Sequence, residues 1–155
     1  MSTVIVYYSK DNNTREGAKI LEEKLKAKII ELKEIKKGNF IQALRKKSSK
    51  LKGTPWKDIE NSAKLYLMSP IWASNVVPAI NAFLDNANLT GKEITIITFQ
   101  QFNDLKNSKK VHNCIKNRIE QKNGTVLNCY ALLGGKMGHF AGKDNIKTEI
   151  EKIFN

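Results

Sequence analysis

Apolar and polar residues alternate in blocks along the chain, and the blocks predict five β/α units. Val4–Tyr8 is β-branched and aromatic and ends at the turn-forming SKDNN segment, the pattern of a buried strand. Between Gly17 and Leu25, the apolar residues Ala18, Leu21 and Leu25 recur among charges at helical spacing. Lys28–Leu32 predicts a second short strand. From 38 to 60 the periodicity is weak, Gly53 and Pro55 mark turns, and Phe40–Leu44 predicts one helical turn within a surface excursion.

Ala63–Ser69 predicts a third strand, ended by Pro70, and Val76–Leu84 a helix with Pro78 in its first turn. Ile94–Phe99 is almost wholly apolar, as a central strand covered on both faces must be. Lys109–Lys122 predicts a basic amphipathic helix with Val111, Cys114, Ile115 and Ile119 inward. Val126–Leu133 predicts a fifth strand, and Asp144 can cap a last helix over Asn145–Phe154. There is no internal repeat and no linker, so residues 1–155 read as one domain. Alternating units of this kind predict an α/β fold with a parallel sheet and helices on both faces. In open sheets of that type ligands bind beyond the carboxyl ends of the strands. The segments after Tyr8, Ser69 and Phe99 therefore come first as sites.

Composition narrows the class. A chain of 155 residues can bury about two thirds of its unfolded surface without a staple. Cys114 and Cys129 match neither CxxC nor zinc spacing and read as free thiols in a reducing cytoplasm. No apolar run approaches the roughly 20 residues of a spanning helix. The N-terminus enters its apolar run with no basic segment before it, so it reads as a strand and not as a signal peptide. The charge stands out more. Lys+Arg 27 against Asp+Glu 15 gives +12, and residues 33–57 hold nine Lys/Arg against one Glu. Such a patch attracts acidic proteins, nucleic acid or anionic lipid, or serves only as a solvated face.

The first of these loops, Ser9-Lys10-Asp11-Asn12-Asn13-Thr14, runs from a strand into a helix. Free amide N–H groups and the helix dipole at such a junction suit a phosphate, and a plain capped turn explains the residues equally well. The second, Ser69-Pro70-Ile71-Trp72-Ala73-Ser74-Asn75, carries a Trp whose face could stack on a planar ring or merely cover the sheet end. The third runs from Thr98 through Phe99 and Gln100 to Asn103 and reads alone as a polar turn. His112 and His139 read as surface residues, and Gly134–His139 as a flexible loop fit for a lid or a partner contact.

Together these segments resemble the flavodoxin family over most of the chain. YYSKDNNT stands where the family has its phosphate loop, Ser/Thr-x-Thr-Gly-x-Thr. MSPIWASNVVP is similar to the family's strand-three signature, and FLDNANLTGKEITIITF to its helix, Leu-x-Gly-Lys turn and fourth strand. The resemblance implies a flavodoxin-like doubly wound sheet of five parallel strands in the order 2-1-3-4-5. It also implies flavin mononucleotide (FMN) held at the strand ends. Carried over by position, Ser9, Lys10, Asn12, Asn13 and Thr14 hold the phosphate, with Asp11 among them. Pro70, Ile71, Trp72 and Ala73 line the ring on one side, and Thr98, Phe99 and Gln100 on the other.

Asp11 stands where the family has Thr and Asn12 where it has Gly, and the net charge departs from the generally acidic family. An aspartate there opposes a phosphate, and a basic surface points to an acidic redox partner. The favoured reading is an electron carrier with no catalytic residue of its own, because the flavin does the chemistry. Two others stay open: an FMN-dependent NAD(P)H:quinone-type oxidoreductase, and a flavin-free binding module that uses the basic patch. Neither a membrane nor, in the favoured reading, a nucleic acid is an expected partner.

Overall fold

A computed structural model describes residues 2–155. β1 (Ser2–Tyr7) leads through the first loop into α1 (Asn13–Leu25) and β2 (Lys28–Glu31). An excursion follows, made of β3 (Glu34–Lys36), the five-residue α2 (Phe40–Leu44) and β4 (Lys50–Leu51). The chain returns in β5 (Ser62–Trp72), turns into the short β6 (Asn75–Val76) and continues through α3 (Pro78–Asn86) and β7 (Glu93–Gln100). The last elements are α4 (Leu105–Gln121), β8 (Thr125–Leu133) and α5 (Lys143–Glu151), closed by a 3-10 turn over Lys152–Phe154.

The five long strands lie in the order β2-β1-β5-β7-β8, and every pairing among them is parallel. Counted along the chain that order is 2-1-3-4-5, as expected. Alternation along β1 divides the core: Val4, Val6 and Tyr8 face α3 and α4, while Ile5 and Tyr7 face α1 and α5. In the middle of the sheet, every residue of β7 from Ile94 to Phe99 is buried, which accounts for its unbroken apolar run. α1 packs close to that strand at Gly17, where a Cβ would stand 2.7 Å from the Phe99 ring.

Two structural differences matter for the site. β5 does not end at Pro70: it runs on to Trp72, with Pro70 paired opposite Phe99. Proline lacks only the donor, so one missing ladder bond is tolerated next to the strand end. The chain then reverses through Ala73 and Ser74, both with positive φ, and Ile71 and Trp72 pair with Val76 and Asn75. The second difference is His112, which is buried in α4 and shares a 2.7 Å hydrogen bond between its Nε2 and Thr98 Oγ1. α4 begins at Leu105, four residues before its expected start, because Asp104 accepts the Asn107 N–H and caps it. That added turn lies ahead of His112 on the same helix, and the ring faces the sheet. The last helix likewise begins early, after Gly142, and Asp144 lies in its first turn and not at its cap.

Away from the strand ends, Lys92 is buried, and its ammonium donates to the carbonyls of Ile59, Glu60 and Ser62 at 2.6–3.1 Å. All three of its protons are used, which is how a buried lysine is made tolerable. Among the described residues, no helix is long and apolar enough to cross a membrane. Cys114 and Cys129 carry free thiols.

Candidate functional site

The junction of β1 and α1 places the first loop at the head of a helix. Asn12 takes left-handed backbone geometry, with φ 67°, and its side chain makes no capping hydrogen bond to α1. Asn12 is one of the few non-glycine types that accept this conformation readily, so it replaces glycine at small cost. Its side-chain oxygen is taken by Arg15, which also pairs with Glu31. The head of the helix is thus left without a side-chain cap, and its first residues, Asn13 and Thr14, turn their positive dipole end to a cleft. Ser9 Oγ is buried there with no hydrogen-bond partner among the described residues, and Thr14 is buried nearby. A buried hydroxyl without a partner costs free energy unless something binds it.

A cleft of about 200 Å³ opens at this junction. It is lined by Ser9, Lys10, Asp11, Asn13 and Thr14 from the first loop and by Pro70, Ile71, Trp72 and Ala73 from the end of β5. Phe99 and Gln100 complete it from β7. Of the residues expected at a site, eleven are therefore brought together, although only after the chain has crossed the sheet three times. Asn12 and Thr98 are not in the lining. The Asn12 side chain turns to Arg15, and Thr98 is wholly buried against His112.

Trp72 is not a bare platform. One face stacks on Phe40 of α2, with ring centres 5.3 Å apart and planes at 27°. Tyr8 meets it edge-on at 5.8 Å. The Lys10 ammonium stands 5.2 Å from the centre of the Trp72 ring and 5.8 Å from that of Phe40, in cation–π range of both. Phe40 thus belongs to the site although it comes from the excursion. Nothing in its local sequence marks it, because the contact is made across 32 residues of chain.

The fourth wall comes from the Gly134–His139 loop, which the sequence marks as fit for a lid or a partner contact but not as a site residue. Gly134, Gly135 and Met137, from the segment after β8, line the cleft. That segment is clasped to the first loop: Asn13 Nδ2 donates to the His139 carbonyl at 3.0 Å, and Asn13 Oδ1 accepts the Ala141 N–H at 2.8 Å. Asp11 Oδ2 accepts the Gly138 N–H at 2.9 Å. Gly135 is needed for closeness, since a Cβ there would lie 2.2 Å from the His139 carbonyl oxygen. The paired glycines after a strand end were the only sequence signal for this wall.

No family model matches the chain, and no curated protein does. Solved structures do. A flavoprotein in complex with FMN from Lactobacillus acidophilus is similar at TM-score 0.67 and 16% identity, over 84% of this chain and 92% of that one. The fold is flavodoxin-like. Oxidised Flavodoxin 2 from Bacillus cereus matches at TM-score 0.68 and 12% identity, over 99% of this chain and 96% of that one. The two-electron reduced flavodoxin of Megasphaera elsdenii matches at TM-score 0.60 and 16% identity, over 96% of each chain. At such identities the likeness is one of architecture. In this flavodoxin-like sheet the cleft lies at the carboxyl ends of β1, β5 and β7, where open α/β sheets bind their ligands.

Proposed function

We propose that the chain binds FMN in this cleft and carries electrons through it. The observation that carries the reading is the head of α1: uncapped N–H groups, the Asn12 left-handed turn and the orphaned Ser9 hydroxyl together suit a phosphate dianion. Ser9, Thr14 and the first backbone N–H groups of α1 would hold that group. The side chains of Asn12 and Asn13 shape the loop instead, being engaged with Arg15 and with the segment after β8.

The aromatic end of the cleft, Trp72 with Phe40, suits a planar ring, and Pro70, Ile71 and Gln100 would border it. Small-molecule pockets usually measure about 300–1,000 Å³, and this one measures about 200 Å³. Lys10 and Phe40 would therefore swing outward as the ring enters. When bound, FMN supplies one- and two-electron transfer, and the protein contributes binding, orientation and electrostatics. No side chain is assigned a covalent role.

A cleft edged by the exposed Met137, with the exposed Phe102 and Leu105 following β7, gives a partner protein apolar contacts near the ring. The +12 charge favours an acidic partner. The test is to load the protein with FMN, reduce it with dithionite in the absence of oxygen, and then supply NADH or NADPH to the reoxidised form. An electron carrier turns yellow, reduces reversibly and consumes nicotinamide no faster than free FMN does. Sustained nicotinamide oxidation would make it a reductase. A protein that stays colourless would refute the flavin site.

A further inference from the structure

A second cleft, of about 530 Å³, lies against the first and shares Ser9 and Lys10 with it. We propose that it binds the diphosphate of a nucleotide alongside the flavin site. Its walls come from the ends of β1 and β2 and from the β3–β4 ribbon of the excursion. Lys33, Lys37 and Lys52 line it, and among the described residues none of the three makes an ion pair.

Their convergence is built into the backbone. β3 and β4 pair antiparallel with Glu34 opposite Leu51, and the Lys52 N–H donates to the Lys33 carbonyl at 2.7 Å. Lys33 and Lys52 are thereby held at one edge of the ribbon, with Lys37 just past the end of β3. The acidic groups of the cleft are already committed. Glu31 pairs with Arg15, and Glu34 accepts the Gly38 N–H at 2.8 Å. Glu34 also lies beside Tyr8, whose hydroxyl is held protonated by burial first and by that carboxylate second. What remains is a concave surface with three uncommitted ammonium groups.

A solvated basic face has no reason to be concave, nor to gather like charges from three segments around one opening. A cleft of this size suits a whole small molecule better than a lone inorganic ion. Three ammonium groups match an anion of two or more charges, and lysine recognises phosphoryl oxygens as a point charge. Ser9 lines both clefts, which sets them side by side, and its hydroxyl is left to the flavin phosphate. The class that fits is a nucleoside diphosphate or the diphosphate of a dinucleotide.

Calorimetric titration with ADP, AMP and inorganic pyrophosphate tests this on the flavin-free and the FMN-saturated protein. ADP and pyrophosphate are expected to bind once per chain in both, without releasing FMN, and AMP at least tenfold more weakly. The double variant Lys33→Met/Lys52→Met is expected to lose at least tenfold in ADP affinity while keeping its thermal midpoint and its FMN affinity. No heat from ADP in either form would overturn the proposal. So would stoichiometric displacement of FMN by ADP, AMP binding equal to ADP, or a double variant that binds ADP like the parent. A short single-stranded oligonucleotide binding where ADP does not would assign the lysines to nucleic acid instead. Because the flavin-free arm is read separately, failure of FMN binding and failure of this site give different results.

Discussion

The carboxylate of Asp11 accepts a 2.9 Å hydrogen bond from the Gly138 N–H, 127 residues further along the chain. The residue that departs most from a phosphate loop thus has a structural task, which is to tie the segment after β8 over the cleft. Its charge nevertheless stays in the cleft lining.

Replacing that charge separates the two roles. A carboxylate about 5 Å from a phosphate charge costs about 3 kcal/mol at an effective dielectric of 20, or about a hundredfold in affinity. Asp11→Asn keeps an acceptor for Gly138 and removes the charge, so FMN affinity is expected to rise about ten- to hundredfold. Quenching of flavin fluorescence on titration reads this directly, and an unchanged affinity would mean that solvent screens Asp11 from the phosphate.

Gly135→Ala places a methyl group where the His139 carbonyl already lies. Relief requires the backbone to move, at about 1–3 kcal/mol, and it undoes the clasp held by Asn13. FMN affinity is expected to fall at least about tenfold and the thermal midpoint to drop. A variant with parental affinity and midpoint would show that the segment does not shape the site.

The sheet was legible because its strands announce themselves locally. Val4–Tyr8 and Ile94–Phe99 are apolar on both faces, and both are buried as read. Pro70 misled because a proline reads as a strand end, yet at the last turns of β5 it costs only one donor. His112 misled because a lone histidine on a basic helix carries no mark of the hydroxyl, Thr98, that faces it from another strand. Most of the cleft was legible for the same reason as the strands: Ser9–Thr14, Pro70–Ala73 and Phe99–Gln100 are each contiguous and follow or end a strand. Phe40 was not, and Gly134–Met137 was legible as a loop fit for a lid or a partner contact but not as a wall, since both reach the cleft only through the topology.

Lys92 offers a stability test far from the cleft. Lys92→Met leaves the carbonyls of Ile59, Glu60 and Ser62 without their donor. Unsatisfied buried acceptors cost about 1–3 kcal/mol each and do not add fully, so a loss of about 3 kcal/mol is expected. Urea unfolding should show it as a lower midpoint, with FMN affinity of the folded protein unchanged. A loss below about 1 kcal/mol would mean that water replaces the ammonium.

Burial lowers the His112 imidazole below its ordinary value. The unfolded chain then binds a proton that the folded chain refuses. Stability is expected to fall as pH drops below about 6.5, by at most about 1.4 kcal/mol per pH unit, and to level off below the folded value. Thermal midpoints of the parent and His112→Asn, measured between neutral and mildly acidic pH, check the sign. A variant as steep as the parent would place the transition on the carboxylates.

Riboflavin is FMN without its phosphate, so the pair isolates the head of α1. Calorimetry with both ligands under identical salt is the most direct measurement. Binding of FMN about a hundredfold or more tighter than riboflavin, abolished by neither Lys33→Met nor Lys52→Met, is the predicted result. Equal affinities, or no binding of either, would contradict a phosphate seat at Ser9, Thr14 and the open end of the helix.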